Sequence, residues 1–438
     1  MNQPGRRRLA AVALAFGATG LLAPAALAGD WKLTPFRLRN KKADFSLELG
    51  GYLQYDLRSF QWDVEQSTQR SDTADVRRVR TGLQMDWKKL RADFDVDWTG
   101  AAANVLNDNE PPYNEPEIKN AYLEYRFAKP FYLRVGTFKV PVGFEFLTSA
   151  GKTDFVERSM LANSLGPDRE WGVMATGELG KKFDYLAGVF AGDGRTVDQS
   201  AGTTVATRLI VHPVKHVDVA TSFSYGEVEA EPDHPGTDPD PKGPLGRSPS
   251  GWRFYERKFV DGRRLRWGGD AQYTRGPFQV KGELLQLRSQ RKGQGSTFDD
   301  LPDEVGTGWS GTASWIVTGE KKERTIKPKR SVFKGGRGLL EVAARFESLQ
   351  FDDAGDQSGF EGAGNRARNL RPSRNRVLWG GVSWLPSDWM RLYANVYAEN
   401  YLDPHLAPEP AGARFVTGTP HGQGTYVTYV ARIMFMIP

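Results

Sequence analysis

The segment LRADFDVDWT, residues 90–99, alternates strictly between apolar and polar side chains. The apolar set is Leu90, Ala92, Phe94, Val96 and Trp98, and the polar set is Arg91, Asp93, Asp95, Asp97 and Thr99. Successive side chains of a β-strand point to opposite faces of its sheet, so this segment is predicted to form a strand with one apolar and one polar face.

The same period of two recurs along the chain, for example in residues 76–87, 390–399 and 426–435, and about sixteen such segments can be counted. Short and long connections alternate between them. The short ones are 88–89, 128–130, 180–182, 213–215, 275–277 and 386–388, and the long ones are 61–75, 101–117, 139–167, 227–262, 291–305, 350–374 and 403–423. A soluble sandwich would also alternate in polarity, but this alternation of connection lengths is typical of membrane barrels. We therefore predict an all-β, transmembrane, antiparallel up-and-down β-barrel of about 16 strands.

One connection does not fit this rule. Residues 318–337 are long and basic, with Lys321, Lys322, Arg324, Lys327, Lys329 and Arg330, although the strand parity places them among the short turns. We interpret this segment as an unusual periplasmic lobe. The alternative is a miscounted strand.

The N-terminus is typical of a secretory signal peptide. Arg6, Arg7 and Arg8 precede an apolar run, and small residues around Ala28 provide a cleavage site. We expect residues 1–28 to be removed and residues 29–438 to form one barrel domain in a bacterial outer membrane. Without the three arginines the formal charge falls from +6 to about +3, so any electrostatic function must depend on where the charges lie.

Composition excludes several classes of chemistry. The chain has no cysteine, which excludes disulfides, thiolate metal sites and cysteine catalysis. Its five histidines are scattered, and His212 and His216 flank Pro213 in a predicted turn, which argues against a zinc site. No catalytic arrangement of Ser, His and Asp or of paired carboxylates was found. We expect no enzyme activity, no cofactor, no metal and no nucleic-acid partner.

Specific motifs make the chain resemble the phosphate-selective porin O/P family over nearly the whole mature sequence. The most specific stretch is LRVGTFKVPVGFE, residues 133–145, followed by Thr148-Ser149 and by FVER, residues 155–158. Supporting matches are GGYLQ at residues 50–54, the pair Arg77-Arg78, GPF at residues 276–278 before Glu283, and TGE at residues 318–320.

The resemblance implies a homotrimer of sixteen-stranded barrels whose loop 139–167 folds into the lumen as a constriction. Pro141, Gly143 and Gly151 independently suit a chain that turns back into a barrel. Among the family's basic positions, Arg77, Arg78 and Arg158 match, and Arg91 falls near another. Phe146 and Tyr52 depart from the pattern, since phosphate-selective members place a lysine and an arginine there.

Basic residues are the candidate pore and anion-binding groups, because guanidinium is always charged and donates paired hydrogen bonds to oxyanions. The candidates are Arg77, Arg78, Arg80, Arg91, Lys139, Lys152, Arg158, Arg169, Arg247, Arg253 and Arg257. Arg78 and Arg80 could equally pair with Asp93, Asp95 or Asp97, and Arg158 could belong to a salt bridge that anchors the loop. The basic, aromatic segment 247–266 is predicted to be an inward arginine ladder, with contact to lipopolysaccharide or another subunit as the alternative.

These expectations point to passive, anion-biased diffusion of phosphate or other small oxyanions, in contact with outer-membrane lipid and lipopolysaccharide. A non-specific or sugar-preferring pore is the first alternative, favoured by the aspartates of residues 93–97. A structural or adhesive barrel plugged by its loops is the second.

Overall fold

Sixteen strands close into an antiparallel barrel in the computed structural model, which confirms the predicted fold class. The structure describes residues 31–61, 73–99, 116–192, 202–230, 242–251, 253–255, 257–295, 298–323, 325–352, 373–401 and 425–437. The predicted signal peptide lies outside these residues. No helix in this part of the chain is long and apolar enough to cross a membrane.

The barrel strands are joined in chain order. They are β3 Phe45–Gln61, β4 Thr73–Trp87, β5 Leu90–Asp97, β6 Glu117–Ala128, β7 Phe131–Lys139, β8 Arg169–Leu179, β9 Phe183–Phe190, β10 Thr204–Val211, β11 Val217–Val228, β14 Gly262–Arg275, β15 Phe278–Arg291, β16 Leu301–Ile316, β17 Leu339–Asp352, β18 Ser373–Ser387, β19 Met390–Tyr401 and β20 Tyr426–Ile437. The described structure also contains the smaller elements β1 Trp31–Thr34, β2 Arg37–Asn40, β12 Gly246–Arg247, β13 Arg253–Tyr255, and the α-helices α1 Phe144–Leu147 and α2 Met160–Ser164.

The last strand closes the barrel. β20 pairs antiparallel with β3, from Val427 opposite Gln61 to Ile437 opposite Gly51. The hairpin β1–β2 pairs with the first residues of β3, where Arg37 lies opposite Glu48. Closure satisfies the backbone hydrogen bonds of both terminal strands, as a lipid environment requires.

The predicted two-sided strands are present. Leu83, Phe94, Leu123 and Leu378 point outward and are exposed, whereas Arg80, Asp97, Glu124 and Asn375 on the same strands point into the lumen. Outward aromatic residues gather near the short turns, at Phe127, Phe131, Phe278, Trp315, Trp389 and Phe435. An exposed apolar band with an aromatic border is the surface that a barrel presents to lipid.

Residues 317–338 lie at the short-turn end, as the parity of the strands predicted. The Val317 N–H donates to the Leu340 carbonyl at 2.8 Å, and the Lys322 N–H donates to the Gly276 carbonyl at 2.8 Å. This segment includes a 3₁₀ helix, Val332–Lys334. The strand count was therefore correct, and the segment is a lobe between β16 and β17.

One predicted loop boundary was wrong, and part of the predicted arginine ladder lies on a strand. β14 begins at Gly262, where the predicted loop 227–262 ends, so Arg263, Arg264 and Arg266 of the segment 247–266 belong to a barrel strand. β16 begins at Leu301, several residues before the predicted end of its loop at residue 305. Both strands extend because their neighbours continue the ladder: Arg264 pairs with Ser289, and Glu304 pairs with Ser289 from the other side.

The core of the molecule lies inside the barrel. Val142, Phe155 and Leu161 from residues 140–168 are fully buried against wall residues such as Trp379 and Phe351. Phe155 and Trp379 meet edge to face at 5.1 Å. Fully burying one such side chain contributes about 2 kcal/mol. The lumen is therefore partly filled by an ordered loop, which we call the constriction loop (residues 140–168).

Candidate functional site

The constriction loop is fixed to one side of the barrel by polar side chains of the wall. Glu347 on β17 accepts hydrogen bonds from the Met160 N–H at 2.9 Å and from Trp379 Nε1 at 2.7 Å. Asn395 on β19 accepts from the Val156 N–H at 2.9 Å. Buried backbone groups need such partners, so these wall residues determine where the loop lies.

Gly143 allows the loop to enter the lumen. Its φ is +77°, a conformation that favours glycine, and a Cβ there would lie 2.8 Å from Glu283 Oε1. The Gly143 N–H donates to Ser222 Oγ of β11 at 3.4 Å, so the loop lies against that strand where it enters the lumen. Gly151 passes close to the Tyr52 ring, where a Cβ would lie 3.2 Å away. The predicted inward turn is therefore present.

Glu157 anchors the end of the loop to a group of arginines. Its carboxylate lies 2.9 Å from Arg77, 3.2 Å from Arg432, 3.4 Å from Arg78 and 3.5 Å from Arg58. Burial alone would raise the pKa of the Glu157 carboxyl, but these four guanidinium groups outweigh it and hold that pKa well below its usual range. Glu157 is therefore ionised and makes the anchoring salt bridge that the sequence suggested for its neighbour Arg158.

A β-bulge explains why two consecutive arginines both face the lumen. Gln54 pairs with Arg78 and the next residue, Tyr55, pairs with Val76, which leaves Arg77 as the extra residue. Strict alternation would have pointed Arg77 outward into lipid. Asp56 supplies the second acid of this cluster, 2.5 Å from Arg432 and 3.2 Å from Arg58. Four guanidinium groups thus face two carboxylates, and the cluster is net positive.

A second basic group lies where the loop leaves and rejoins the wall. Arg158 donates to the Thr148 carbonyl at 3.2 and 2.7 Å, and Lys139 donates to the same oxygen at 3.1 Å. Arg169 donates to Asn120 Oδ1 at 3.0 Å. Both acceptors, the Thr148 carbonyl and the Asn120 side-chain oxygen, are neutral, so they orient these side chains without forming an ion pair.

Mutual repulsion shows that these cations are close together. Burial, followed by repulsion from Arg78, lowers the pKa of Arg158 to about 10, and Arg169 and Arg80 act in the same direction. Arg158 nevertheless remains protonated at neutral pH. We call Arg80, Lys139, Arg158 and Arg169 the basic cluster.

Two of these cations lie over the aromatic residues that depart from the family pattern. Lys139 Nζ is 5.0 Å from the centre of the Phe146 ring, and the Arg80 guanidinium is 5.5 Å from the centre of the Tyr52 ring. A basic side chain is therefore present beside both positions, although it comes from other residues.

The two interpretations of the strand arginines apply to different residues. Arg80 pairs with Asp97 at 2.8 Å, as the wall-filling alternative proposed. Arg78 instead contacts Gln54 at 3.1 Å and Glu157. Arg91 forms hydrogen bonds of 2.8 and 3.0 Å with Asp86, beside the turn at residues 88–89 and away from the basic cluster.

The remaining candidates lie on the loops. Lys152 is exposed at the constriction loop. The hairpin β12–β13 folds into the lumen, where the Arg247 N–H donates to Ser164 Oγ at 3.3 Å and Tyr255 stacks on Phe351 at 3.9 Å. This inward position favours the lumen interpretation for Arg247. Arg257 is exposed, and Arg253 lies in β13 with its side chain outside the described part of the chain.

Sequence reasoning missed Arg58, Lys119, Arg134, Arg208 and Arg432 as lumen groups. All but Lys119 belong to the polar set of an alternating strand, which was the available signal. Arg208, for example, forms hydrogen bonds of 2.6 and 2.8 Å with Asp270.

His212 binds Asp184 at 3.0 Å and Asp218 at 2.6 Å at the short-turn mouth. Within the described ranges, no three His, Asp or Glu residues could hold a metal ion.

Burial shows which side of the lumen meets solvent. Glu347, Trp379 and Tyr397, which face the lumen from β17–β19, are buried beneath the loops. On β4–β7, lumen-facing residues such as Arg80, Asp93, Asn120, Tyr122 and Arg134 are only half-buried. Solvent space therefore adjoins the wall formed by β4–β7, which also carries part of the basic cluster. We call this space the passage.

Solved structures with similar folds include a porin, an outer-membrane channel and an outer-membrane protein. An anion-selective porin from Comamonas acidovorans is 12% identical, with a TM-score of 0.57 over 90% of this chain and 100% of that one. The outer membrane channel DcaP of Acinetobacter baumannii is 11% identical, with a TM-score of 0.52 over 90% and 99%. A loop L8 deletion mutant of OmpT, an outer membrane protein of Vibrio cholerae, is 10% identical, with a TM-score of 0.53 over 90% and 100%. At these identities the likeness concerns the fold.

No curated protein matches the chain in sequence. The model of the family described as phosphate-selective porin O and P matches residues 47–419. The family and the barrel fold place the protein in the bacterial outer membrane and indicate a channel rather than an enzyme. With its closed barrel of sixteen strands and its inward constriction loop, the chain belongs to the phosphate-selective porin O and P family.

Proposed function

We propose that this outer-membrane porin conducts small anions passively and prefers phosphate-like oxyanions. The observation that carries the proposal is the basic cluster beside the passage, in which the guanidinium groups of Arg158 and Arg169 are oriented by neutral oxygens. An anion that sheds part of its hydration shell there finds fixed N–H donors and uncancelled charge. The description of the family as phosphate-selective and that of the Comamonas acidovorans porin as anion-selective agree with this direction.

The arginine group around Glu157 supports the proposal in a second way. Arg58, Arg77, Arg78 and Arg432 outnumber the acids that they contact. Their excess charge surrounds Glu157, which is the residue next to Arg158 in the constriction loop. Charge held in a low-dielectric wall acts over a longer distance than charge in bulk water, so this group favours anions in the passage.

A planar-bilayer recording tests the proposal. In a KCl gradient the reversal potential should have the sign of chloride selectivity, and added phosphate should reduce the chloride current in a saturable way. Cation selectivity would refute the anion bias. Chloride current that stays unchanged in phosphate would restrict the proposal to non-specific anion diffusion.

One observation favours a second candidate, a sugar-preferring pore. Asp93 and Asp95 face the same passage, and Asn120 donates to them at 3.2 and 2.8 Å. Tyr122 lies beside them, and its ring is covered by Arg134 at 4.2 Å. Carboxylates next to an aromatic ring can bind sugar hydroxyl groups and ring faces. Liposome swelling with neutral sugars would favour this function if the rate exceeded that expected from size alone.

We also propose a homotrimer. An outward groove of about 700 Å³ crosses the closure of the barrel, and small residues such as Ala74, Gly380, Ala394 and Ala431 line it. Small side chains let a second wall approach closely in lipid. Native mass spectrometry of the folded porin should give three subunits, and introducing Trp at Gly380 should reduce that population. A monomer in both samples would contradict the proposal.

A further inference from the structure

The lobe between β16 and β17 carries a large surplus of positive charge. We call residues 317–338 the basic lobe. Its exposed cations in the described part are Lys321, Lys327, Lys329, Arg330, Lys334 and Arg337, and its acids there are Glu320 and Glu323. Passage of anions through the lumen does not explain the exposed cations beside Phe333, because that ring stacks on Trp389 of the outward-facing aromatic residues.

The side of the basic lobe that faces the barrel already has partners within this protein. Lys322 reaches into the lumen, where it contacts Asp154 of the constriction loop at 2.6 Å and Glu341 of β17. Burial alone would lower the pKa of Lys322, but Asp154 and Glu341 raise it, so this lysine is charged. Ile326 packs on Ile316, Leu339 and Leu385. The exposed cations therefore remain for a partner on the outer side.

The outer side continues the lipid-facing aromatic row of the barrel. Phe333 stacks on Trp389 with ring centres 5.2 Å apart, and Trp389 stacks on Phe435 at 6.3 Å. Phe333 is nevertheless 64% exposed. Trp384, also outward-facing, donates to the Arg337 carbonyl at 3.0 Å. The lobe thus lies against the part of the wall where aromatic residues border the apolar band.

We propose that the basic lobe binds anionic phospholipid headgroups in the periplasmic leaflet of the outer membrane. Phe333 would enter the leaflet beside Trp389 and Phe435, which covers an otherwise exposed apolar ring. Lys334 follows Phe333 directly and Arg330 precedes it by three residues, just before the 3₁₀ helix, so both cations would lie at headgroup depth. There a phosphodiester accepts charge-assisted hydrogen bonds.

This aromatic contact distinguishes lipid from the other anionic material of the periplasm. Peptidoglycan carboxylates could meet the lysines, but they would leave Phe333 facing lipid without a role. A cation beside an interfacial aromatic residue is the usual combination at a membrane surface. The observations therefore favour a phospholipid over the cell wall.

Native mass spectrometry of the folded porin in detergent tests the proposal. Dioleoylphosphatidylglycerol and dioleoylphosphatidylcholine are titrated onto wild type, onto the double variant R330Q/K334Q and onto F333A. Each interfacial cation contributes about fivefold in affinity for an anionic surface. The double variant should therefore bind phosphatidylglycerol at least tenfold more weakly and phosphatidylcholine nearly unchanged. F333A should weaken both lipids.

The matched control is K181Q/K182Q, which removes two exposed cations from the turn 180–182 at the same end of the barrel. It should change phosphatidylglycerol affinity less than twofold. An equal loss in this control, or no loss in R330Q/K334Q, would overturn the proposal. Retention on isolated peptidoglycan that falls in R330Q/K334Q while lipid affinity is unchanged would assign the lobe to the cell wall. Equal resistance to heat in detergent verifies that all variants are folded.

Discussion

Replacing Arg158 by glutamine tests the basic cluster most directly. The guanidinium is charged at neutral pH, half-buried, and held by the Thr148 carbonyl at 2.7 Å. A unit charge about 5 Å from a permeating ion contributes about 0.8 kcal/mol in water, and 0.1 M salt reduces this to about 0.5 kcal/mol. Anions and cations shift in opposite directions. The chloride-to-potassium permeability ratio of R158Q should therefore fall about fivefold.

The assay is the reversal potential of single channels in a KCl gradient. R158K keeps the charge and should retain most of the selectivity. R91Q is the matched control, because Arg91 is paired with Asp86 at 2.8 Å near the short-turn mouth, away from the basic cluster. Its ratio should change less than twofold. Unchanged selectivity in R158Q, or an equal loss in R91Q, would refute the assignment of Arg158 to the constriction.

Three further changes should have distinct effects. E157Q removes the acid among four arginines. The anion preference, measured as a reversal potential, should rise up to about fivefold, and the stability, measured by urea unfolding, should fall by about 3 kcal/mol. A fall in anion preference would contradict the charge assignment. K322M leaves Asp154 with Lys281 at 2.6 Å, and the less firmly held loop should give noisier open-channel currents, whereas currents as quiet as wild type would count against this anchor. The hydrogen bonds that the protonated His212 ring donates to Asp184 and then to Asp218 raise the pKa of His212. The stabilisation by this bridge, under about 1 kcal/mol at a partly exposed site, is therefore complete below about pH 6.5 and is lost as the pH rises through the raised value. H212Q should destabilise the heat-resistant barrel more at pH 5.5 than at pH 9, and the opposite order would reject the bridge.

Much of the fold could be predicted because its signals are local. Alternation within residues 90–99 depends only on strand geometry and on the contrast between lipid and water, so no distant contact is needed to read it. The parity of short and long connections correctly placed residues 317–338 at the short-turn end. The loop motif around Gly143 correctly predicted an inward turn, because only a few residues adopt a φ of +77°.

The candidate site depended more on distant residues. Arg78, Arg80, Lys139, Arg158 and Arg169 were predicted from their residue type and position, and the structure brings them together. Their partners could be predicted only in part. Asp97 was one of three acids proposed for Arg80, which it meets across one strand pair, whereas the sequence did not indicate that Arg158 meets a carbonyl of its own loop. The partner determines whether the charge of a cation is neutralised or whether only its orientation is fixed.

By itself, the sequence determined a lipid-facing barrel with polar residues toward a lumen and a long inward loop. The family resemblance named Arg77 as a pore candidate although strict alternation points it outward, and only the tertiary structure explains its lumen position, because a bulge is a mismatch between two strands and leaves no mark in either sequence alone. The tertiary structure also decided that Glu157 joins Arg58 and Arg432 from opposite ends of the chain. Barrel closure brings those ends together, so the charge balance of the pore is a property of the closed sheet.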